Sequence, residues 1–171
     1  MTTMYPEPNA LDLAMLLIRL AIGPMLFAHG YNKVFGGGGL KGTASWFESL
    51  GLKPGWLHAR IAAGTEMGLG IAITIGLLTG LSAAGVVGLM VVAMLTDHRG
   101  KGYFIFKGGW EYVLFVALVA VALASAGPGE WSVDNAIDLS MFGVNWAIIA
   151  AALGTGAAFL MLATSYRPAK K

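Results

Sequence analysis

Long apolar segments separated by short polar ones make up most of the chain. A helix needs about 20 predominantly apolar residues to cross the hydrocarbon core of a bilayer. The pattern therefore predicts a single-domain, all-α polytopic membrane protein. The five predicted transmembrane helices cover residues 11–35, 57–79, 81–96, 110–126 and 141–165.

Two of the polar segments predict local structure between the first three helices. The loop after the first helix contains an amphipathic stretch, which predicts a short helix over residues 43–50. Its aromatic residues, Trp46 and Phe47, are expected to lie at the membrane interface. Gly80 is predicted to form the tight turn between the second and third helices.

The remaining polar segments are the two terminal tails and the segment that ends the fourth helix. Residues 1–10 carry no basic residue, so they lack the positive region of a cleavable signal sequence and are predicted to be an outside tail. The Gly-Pro-Gly sequence at 127–129 is predicted to stop the fourth helix. Residues 166–171 form a basic C-terminal tail.

Basic residues predict the orientation. Of the 11 lysines and arginines, all except Arg19 lie in or beside the loop 36–56, in the loop 97–109, or in the C-terminal tail. The N-terminal tail and residues 127–140 carry none. The three basic segments share one side only if the chain crosses five times. The positive-inside rule then predicts an N-terminus outside and a cytoplasmic C-terminus.

Composition supports the membrane assignment and excludes several chemistries. The chain is 57% hydrophobic and 12% charged, far from the composition of an ordinary soluble domain. It contains no cysteine, which excludes disulfides, thiolate metal sites and sulfur relays within this chain. The net charge of +2 comes without a basic stripe, so no nucleic-acid partner is predicted.

Two charged residues lie deep within predicted spans, where charge is costly. Arg19 is about 12 Å from the start of the first helix, and Glu66 is about 14 Å from the start of the second, counting 1.5 Å per residue. Because these depths nearly coincide from opposite sides, we expect an Arg19–Glu66 ion pair. The pair either locks two helices together or makes Glu66 a proton carrier or ligand contact.

A second polar group is expected near the cytoplasmic ends of the helices. His29 and Lys33 are four residues apart and share a helix face. The later helices bring residues of similar chemistry to the same depth, namely Asp97, His98, Glu111 and Tyr112. Such a cluster suits proton-coupled chemistry on a quinone head group. The alternative is that these residues are solvated at the interface.

Other site types are less favoured by the sequence. The three histidines show no metal-ligand spacing, so no metal is predicted, and His58 is interpreted as structural. The four glycines at 36–39 do not follow a nucleotide-binding pattern. Small residues of the fifth helix, Gly154 and Gly156 among them, suggest packing against another helix or a second subunit.

Several separated motifs resemble the DoxX family over roughly residues 12–134. They are Arg19-Leu20 with Gly23, His29-Gly30, Lys33, Phe35-Gly36, Leu50-Gly51-Leu52 with Pro54, Glu66 with Gly70, His98, Gly108-Gly109 with Glu111-Tyr112, and Gly127-Pro128-Gly129 followed by Ser132 and Asp134. Their order and spacing carry the resemblance.

The resemblance implies a four-helix antiparallel bundle in a bacterial cell membrane and a quinone-linked redox role. The family is similar to the membrane subunit of an archaeal thiosulfate:quinone oxidoreductase. Mycobacterial-type members, which this chain resembles, are linked to a complex with a superoxide dismutase and a sulfurtransferase. The chain departs from the family pattern in its additional fifth transmembrane helix and in Gly80, where many members carry arginine.

Two functions follow as hypotheses. In the first, the protein is a membrane subunit of a redox system that binds menaquinone or another quinone. The proposed catalytic residues are His29, Glu66, His98 and Glu111, and the proposed cofactor-binding residues are Arg19, Lys33, Glu66 and Tyr112. In the second, it is a non-catalytic scaffold that recruits soluble redox enzymes through residues 36–56 and 97–109. A transporter is less favoured because no inverted repeat is evident.

Overall fold

A computed structural model of the protein describes residues 7–168, and over these residues the fold is all-helical. The helices are α1 (Pro8–Phe35), α2 (Gly39–Leu50), α3 (Gly55–Ile75), α4 (Thr79–Leu95), α5 (Glu111–Ala126), α6 (Val133–Ala136) and α7 (Val144–Ser165), with a 3₁₀ turn at Ile105–Lys107. The predicted all-α class is confirmed. Predictions for residues 1–6 and 169–171 lie outside the described residues.

Two helices are long and apolar enough to cross a membrane by length and composition, Asn9–Phe35 within α1 and Val144–Ser165, which is α7. Two further apolar helices, α4 and α5, are shorter, with 17 and 16 residues. At 1.5 Å per residue these two are about 24–26 Å long.

The long helices run antiparallel and place the connections at two ends of the molecule. We call the end formed by residues 36–54 and 96–110 the α2 end. The opposite end, formed by residues 76–78 and 127–143, is called the α6 end. The C-terminal ends of α1, α4 and α7 therefore lie at the α2 end.

The structure extends the short amphipathic helix and changes the role of one aromatic residue. The predicted helix over 43–50 lies within α2, which begins at Gly39. Trp46 is 43% exposed, but Phe47 is only 8% exposed. The Phe47 side chain is therefore packed inside the molecule, and the interfacial position of the two rings stays a prediction.

The turn between α3 and α4 lies four residues before the predicted one. Gly76 ends α3 with a left-handed backbone (φ +67°). Gly80 lies inside α4, so the predicted turn there is wrong. A methyl group on Gly80 would lie 2.6 Å from the carbonyl O of Met141 and 2.6 Å from the Trp146 ring. Gly80 is thus used for close packing and not for a change of chain direction.

Glycines bring α1 and α3 into close contact along their length. A methyl group on Gly70 would lie 2.6 Å from the backbone N of Phe27 and 2.7 Å from the carbonyl O of Gly23. One on Gly30 would lie 2.7 Å from the carbonyl O of Ala63. Only glycine permits this backbone approach, so these positions fix the antiparallel register of the two helices.

A similar contact joins α4 to α7. A methyl group on Gly154 would overlap the carbonyl O of Ala84 and lie 3.0 Å from the backbone N of Gly88. Helix α5 packs against both α4 and α7, and the buried side chains of Val86, Val116 and Leu123 lie in the hydrophobic core. The molecule thus has two groups of helices, α1–α3 and α4, α5 and α7, and the contact between α3 and α4 is less extensive than the contacts of α1 with α3 and of α4 with α7.

The chain that follows α7 is hydrogen-bonded to the connection between α2 and α3. The backbone N of Arg167 donates to the carbonyl O of Gly51 over 2.6 Å. The backbone N of Lys53 donates to the carbonyl O of Ser165 over 2.9 Å. These two bonds join the two helix groups at the α2 end.

Two other glycines of α3, Gly64 and Gly68, have the Gly-x-x-x-Gly spacing that is common in close helix contacts. Gly64 and Gly68 are exposed, and a methyl group on either would meet no atom within 4 Å. The Gly-x-x-x-Gly spacing is therefore not used within the described residues, and the neighbouring Gly70 makes the close contact instead.

We predict that Gly70→Ala destabilises the protein and that Gly68→Ala does not. Overpacking of a tight contact costs about 1–3 kcal/mol. The gain in helix propensity is at most about 1 kcal/mol and is common to both variants. Thermal unfolding in mild detergent measures the difference, with Gly68→Ala as the matched control. Equal melting temperatures for the two variants would contradict the close α1–α3 contact.

Candidate functional site

A cavity of about 720 Å³ lies between the two groups of helices. It is lined by residues of α1, α2, α3, α4, α5 and α7, and most of the lining is apolar. Leu26, Phe47, Leu89, Val113 and Met161 are examples. The size is within the usual range for small-molecule sites, which are about 300–1,000 Å³ and mainly apolar.

The polar side chains of this cavity lie towards the α2 end of the molecule. They are His29 and Lys33 from α1, His58, Thr65 and Glu66 from α3, Thr96 to His98 after α4, and Tyr112 from α5. The cavity is therefore amphipathic, with a polar end and an apolar body. A ligand that matches it has a polar head group and an apolar remainder.

An ion pair between α1 and α3 lies in the polar end. The ammonium of Lys33 donates to both carboxylate oxygens of Glu66, over 2.8 and 2.6 Å. The two side chains are only 15% and 12% exposed. A charge-assisted pair of this length is strong, and its low exposure limits screening by solvent.

The predicted Arg19–Glu66 pair is therefore wrong. The depth estimate treated the predicted ends of both helices as lying at the membrane surfaces. In the observed register Gly23 lies against Gly70, and Gly30 lies against Ala63. This offset places Glu66 near the C-terminal end of α1, beside Lys33, and leaves Arg19 close to the C-terminal end of α3.

Arg19 lies at the α6 end, outside the cavity, and is 1% exposed. Its guanidinium donates to the carbonyl O of Thr74 over 3.1 Å and to the carbonyl O of Trp131. The carboxylate of Asp134, also 1% exposed, accepts from the backbone N of Leu78 over 2.7 Å and of Thr79 over 2.8 Å. Asp134 thereby satisfies the free N–H groups at the start of α4.

The same end holds a second buried acid, Asp12, which is 5% exposed. Its carboxylate accepts from the backbone N of Glu130 over 2.8 Å. Together with Arg19 and Asp134, it attaches the connection between α5 and α7 to α1, α3 and α4. The family-like Gly127-Pro128-Gly129 and Asp134 motif thus makes structural contacts.

The hydrogen-bond partners of His98 show which ring nitrogen carries a proton. Nδ1 lies 2.7 Å from the carbonyl O of Gly108. A carbonyl oxygen only accepts, so Nδ1 carries a proton. Nε2 lies 3.9 Å from a carboxylate oxygen of Asp97, whose other oxygen accepts from Lys101 over 3.1 Å. The imidazole is therefore held in a fixed orientation while it lines the cavity.

Two α5 residues that the sequence placed in one cluster have separate environments. Tyr112 lines the cavity and is 39% exposed. The carboxylate of Glu111 accepts from the backbone N of Ile105 over 3.0 Å and braces the loop before α5. Glu111 is not among the residues that line the cavity.

A second cavity of about 310 Å³ adjoins the polar end. It is lined by His29, Lys33, Trp46, Thr43 and the glycine-rich segment 36–39. Since His29, Lys33 and Trp46 line both cavities, the two spaces adjoin at the Lys33–Glu66 pair. Of the predicted site residues, the structure thus brings together His29, Lys33, Glu66, His98 and Tyr112 around the larger cavity.

Sequence reasoning did not place His58 near a site. It is 7% exposed, lines the larger cavity, and its Nε2 has no hydrogen-bond partner among the described residues. In the sequence it stands beside a polar loop, as an ordinary interfacial histidine would. Only the packing of α2 on α3, which covers it, reveals its burial.

Comparison with known proteins gives one family. The DoxX family model matches residues 14–99, a segment that contains α1 to α4 almost completely. An uncharacterized protein from Haemophilus influenzae is 24% identical over 132 residues, which cover 72% of this chain and 83% of that relative. No solved structure matches. The matched segment contains the Lys33–Glu66 pair and His98.

We predict that Asp134→Ala lowers stability without affecting a ligand in the cavity. The variant removes two hydrogen bonds at the start of α4 and an opposite charge near the buried Arg19. Leaving a buried hydrogen-bond donor without its acceptor costs about 1–3 kcal/mol. Thermal unfolding measures the loss. The matched control is Glu130→Ala, because the Glu130 side chain is exposed. A melting temperature unchanged from the control would disprove this role for Asp134.

Proposed function

The chain belongs to the DoxX family, which is membrane-associated, and on that premise we propose that it is a membrane subunit of a redox system that binds a quinone. The observation that carries the proposal is the 720 Å³ cavity, which joins an apolar body to a polar end containing Lys33, Glu66, His98 and Tyr112. An apolar cavity with a few convergent polar groups is the usual form of a ligand site.

The proposed topology has five membrane-spanning helices. Helices α1, α3, α4 and α5 form the four-helix antiparallel bundle, and α7 is the fifth span, in a bacterial cell membrane. Large apolar side chains on the outside of these helices are exposed, including Leu17, Ile71, Phe115 and Leu160 at 57%, 52%, 64% and 70%. Basic residues concentrate at the α2 end, which is therefore the cytoplasmic end. The N-terminus is outside and the C-terminus is cytoplasmic.

A quinone matches both parts of the cavity. Its planar ring carries carbonyl oxygens that accept hydrogen bonds, and its isoprenoid chain is apolar. Lys33 and the phenol of Tyr112 are the donors at the polar end, while the small side chains of Ala62 and Ala157 leave room in the body. Menaquinone fits this chemistry, as does any quinone with an isoprenoid chain.

The protein residues contribute binding, orientation and proton exchange. A bound quinone supplies the chemistry of accepting two electrons and two protons. The Lys33–Glu66 pair orients a donor towards the head group, because the carboxylate holds the ammonium in one position. The imidazole of His98 keeps one proton on Nδ1 and has Nε2 to exchange another. The electrons come from a soluble redox partner, for which a superoxide dismutase and a sulfurtransferase are the proposed candidates.

A second candidate function is a scaffold that recruits soluble enzymes. One observation favours it, the exposed apolar loop before α5, in which Phe106 is 78% exposed. Native mass spectrometry with lipid extraction separates the two functions. A stoichiometric quinone supports the redox subunit, whereas a co-purifying soluble protein without quinone supports the scaffold.

We predict that Ala157→Trp weakens quinone binding about tenfold or more, equivalent to roughly 1.4 kcal/mol or above. Ala157 lines the cavity, so an indole there occupies ligand space. Ala152→Trp is the matched control, because Ala152 lies on the same helix, is exposed, and does not line the cavity. Binding of a short-chain menaquinone to purified protein is measured by native mass spectrometry. Equal binding by both variants would exclude this cavity as the quinone site.

We also predict that exchanging the two charges, in Lys33→Glu combined with Glu66→Lys, preserves the fold but weakens quinone binding. The exchange keeps an ion pair between α1 and α3 while moving the ammonium to the other helix. Glu66→Gln alone is a less selective test, since it leaves Lys33 unpaired and lowers stability as well. Melting temperature and menaquinone binding are measured together. A stable exchanged protein with undiminished binding would show that the pair is structural only.

A further inference from the structure

The loop between α4 and α5 presents four consecutive apolar side chains to the outside of the molecule. Tyr103, Phe104, Ile105 and Phe106 are 44%, 50%, 48% and 78% exposed. We call these four side chains the apolar tip. Exposed apolar groups this close together mark a surface that contacts another apolar phase.

The apolar tip is held outward by an ordered loop. The backbone N of Gly109 donates to the carbonyl O of Phe104, and that of Glu111 donates to the carbonyl O of Tyr103, both over 2.9 Å. The Glu111 carboxylate accepts from the backbone N of Ile105 over 3.0 Å. The Tyr103 ring lies edge-on to Trp110 at 4.9 Å. These contacts fix the loop backbone, so exposure of the tip is a property of the folded structure.

Basic residues lie in the same loop as the apolar tip. Arg99, Lys101 and Lys107 lie within the loop. The Lys107 ammonium is 6.0 Å from the centre of the Phe106 ring. The two nearby carboxylates are already engaged, since Asp97 accepts from Lys101 over 3.1 Å and Glu111 accepts from the loop backbone. Three cations stand against these two carboxylates, so the segment from Asp97 to Glu111 has a net positive charge.

We propose that the apolar tip inserts into the interfacial region of the adjacent leaflet and that the surrounding basic residues bind the phosphates of anionic lipids. Aromatic rings favour the depth of the head groups, and basic side chains favour anionic lipid surfaces. Membrane-surface segments commonly combine apolar and basic faces in this way. This inference rests on the proposed membrane topology and is independent of the quinone site.

The location of the loop favours lipid over a soluble protein. It joins the ends of two apolar helices, α4 and α5, so its backbone leaves and re-enters the bundle at the same end. Other aromatic residues at this end are also exposed, with Phe35 at 66% and Trp56 at 56%. The apolar tip continues this group of exposed aromatic residues, as expected where several elements meet one lipid interface.

The absence of cysteine permits a direct test with a single label. Phe106→Cys is labelled with an environment-sensitive nitrobenzoxadiazole fluorophore in the full-length protein. The protein is reconstituted in vesicles of phosphatidylcholine, with or without 30 mol% phosphatidylglycerol, a composition of roughly typical anionic content. Glu130→Cys, at an exposed position of the α6 end, is the matched control. Shallow spin-labelled lipids and aqueous iodide serve as quenchers.

We expect the label at position 106 to be quenched by the spin-labelled lipid and protected from iodide, with the reverse at position 130. Insertion should increase when phosphatidylglycerol is present. In the double variant Lys101→Gln/Lys107→Gln, the increase in insertion caused by phosphatidylglycerol should be smaller. Each charge removed should lower it about fivefold, since each basic residue contributes about 1 kcal/mol at an anionic surface.

Iodide quenching at position 106 in both vesicles would overturn the proposal and favour a soluble partner for this loop. Equal insertion in both vesicles would overturn the anionic-lipid assignment. Quinone binding by the labelled protein is measured in parallel. Insertion without bound quinone would contradict the proposed redox function and leave the lipid contact intact.

Discussion

The close backbone contact between α1 and α3 is the constraint on which the rest of the structure depends. Gly23, Gly30 and Gly70 remove the side chains that would separate the two helices, and the resulting register decides which charged groups meet. It brings Lys33 to Glu66 at one end and Arg19 to the carbonyl of Thr74 at the other. The chemistry of both ends thus follows from packing in the middle.

The two ends use their buried charges differently. At the α6 end, Arg19, Asp134 and Asp12 are engaged mainly by backbone groups, which fixes helix ends and a connection. Such contacts are structural because they satisfy N–H and carbonyl groups that have no helical partner. At the α2 end, His29 and His98 face a cavity, and the Nε2 atom of His58 has no partner among the described residues. Groups of that kind are available to a ligand.

The sequence predicts the helices well because hydropathy is a property of each segment alone. It locates α1, α3, α4, α5 and α7 to within a few residues. The five predicted site residues that line the cavity lie in or beside these helices, namely His29, Lys33, Glu66, His98 and Tyr112. It does not predict which residues pair, because pairing depends on the register between helices. Arg19 and Glu66 have similar estimated depths, yet the glycine contacts shift α3 relative to α1 and separate them.

The wrong position of the predicted turn and the unpredicted burial of two side chains have related causes. A glycine can end a helix or permit close packing, and one sequence cannot distinguish these uses, so Gly80 suggested a turn that lies at Gly76. Burial of Phe47 and His58 depends on how α2 folds over α3. Local amphipathicity predicts that α2 exists but not which helix it covers.

The chain after α7 has a consequence for how a molecule could reach the larger cavity. The bonds from Arg167 to Gly51 and from Lys53 to Ser165 link the two helix groups at the α2 end, while Arg19 and Asp134 make the contacts at the α6 end. The contact between α3 and α4, which joins the two groups along the side of the bundle, is less extensive than the contacts of α1 with α3 and of α4 with α7. In the proposed topology that side faces acyl chains, so an isoprenoid molecule diffusing within the bilayer would meet the boundary between the two helix groups directly, without first entering water.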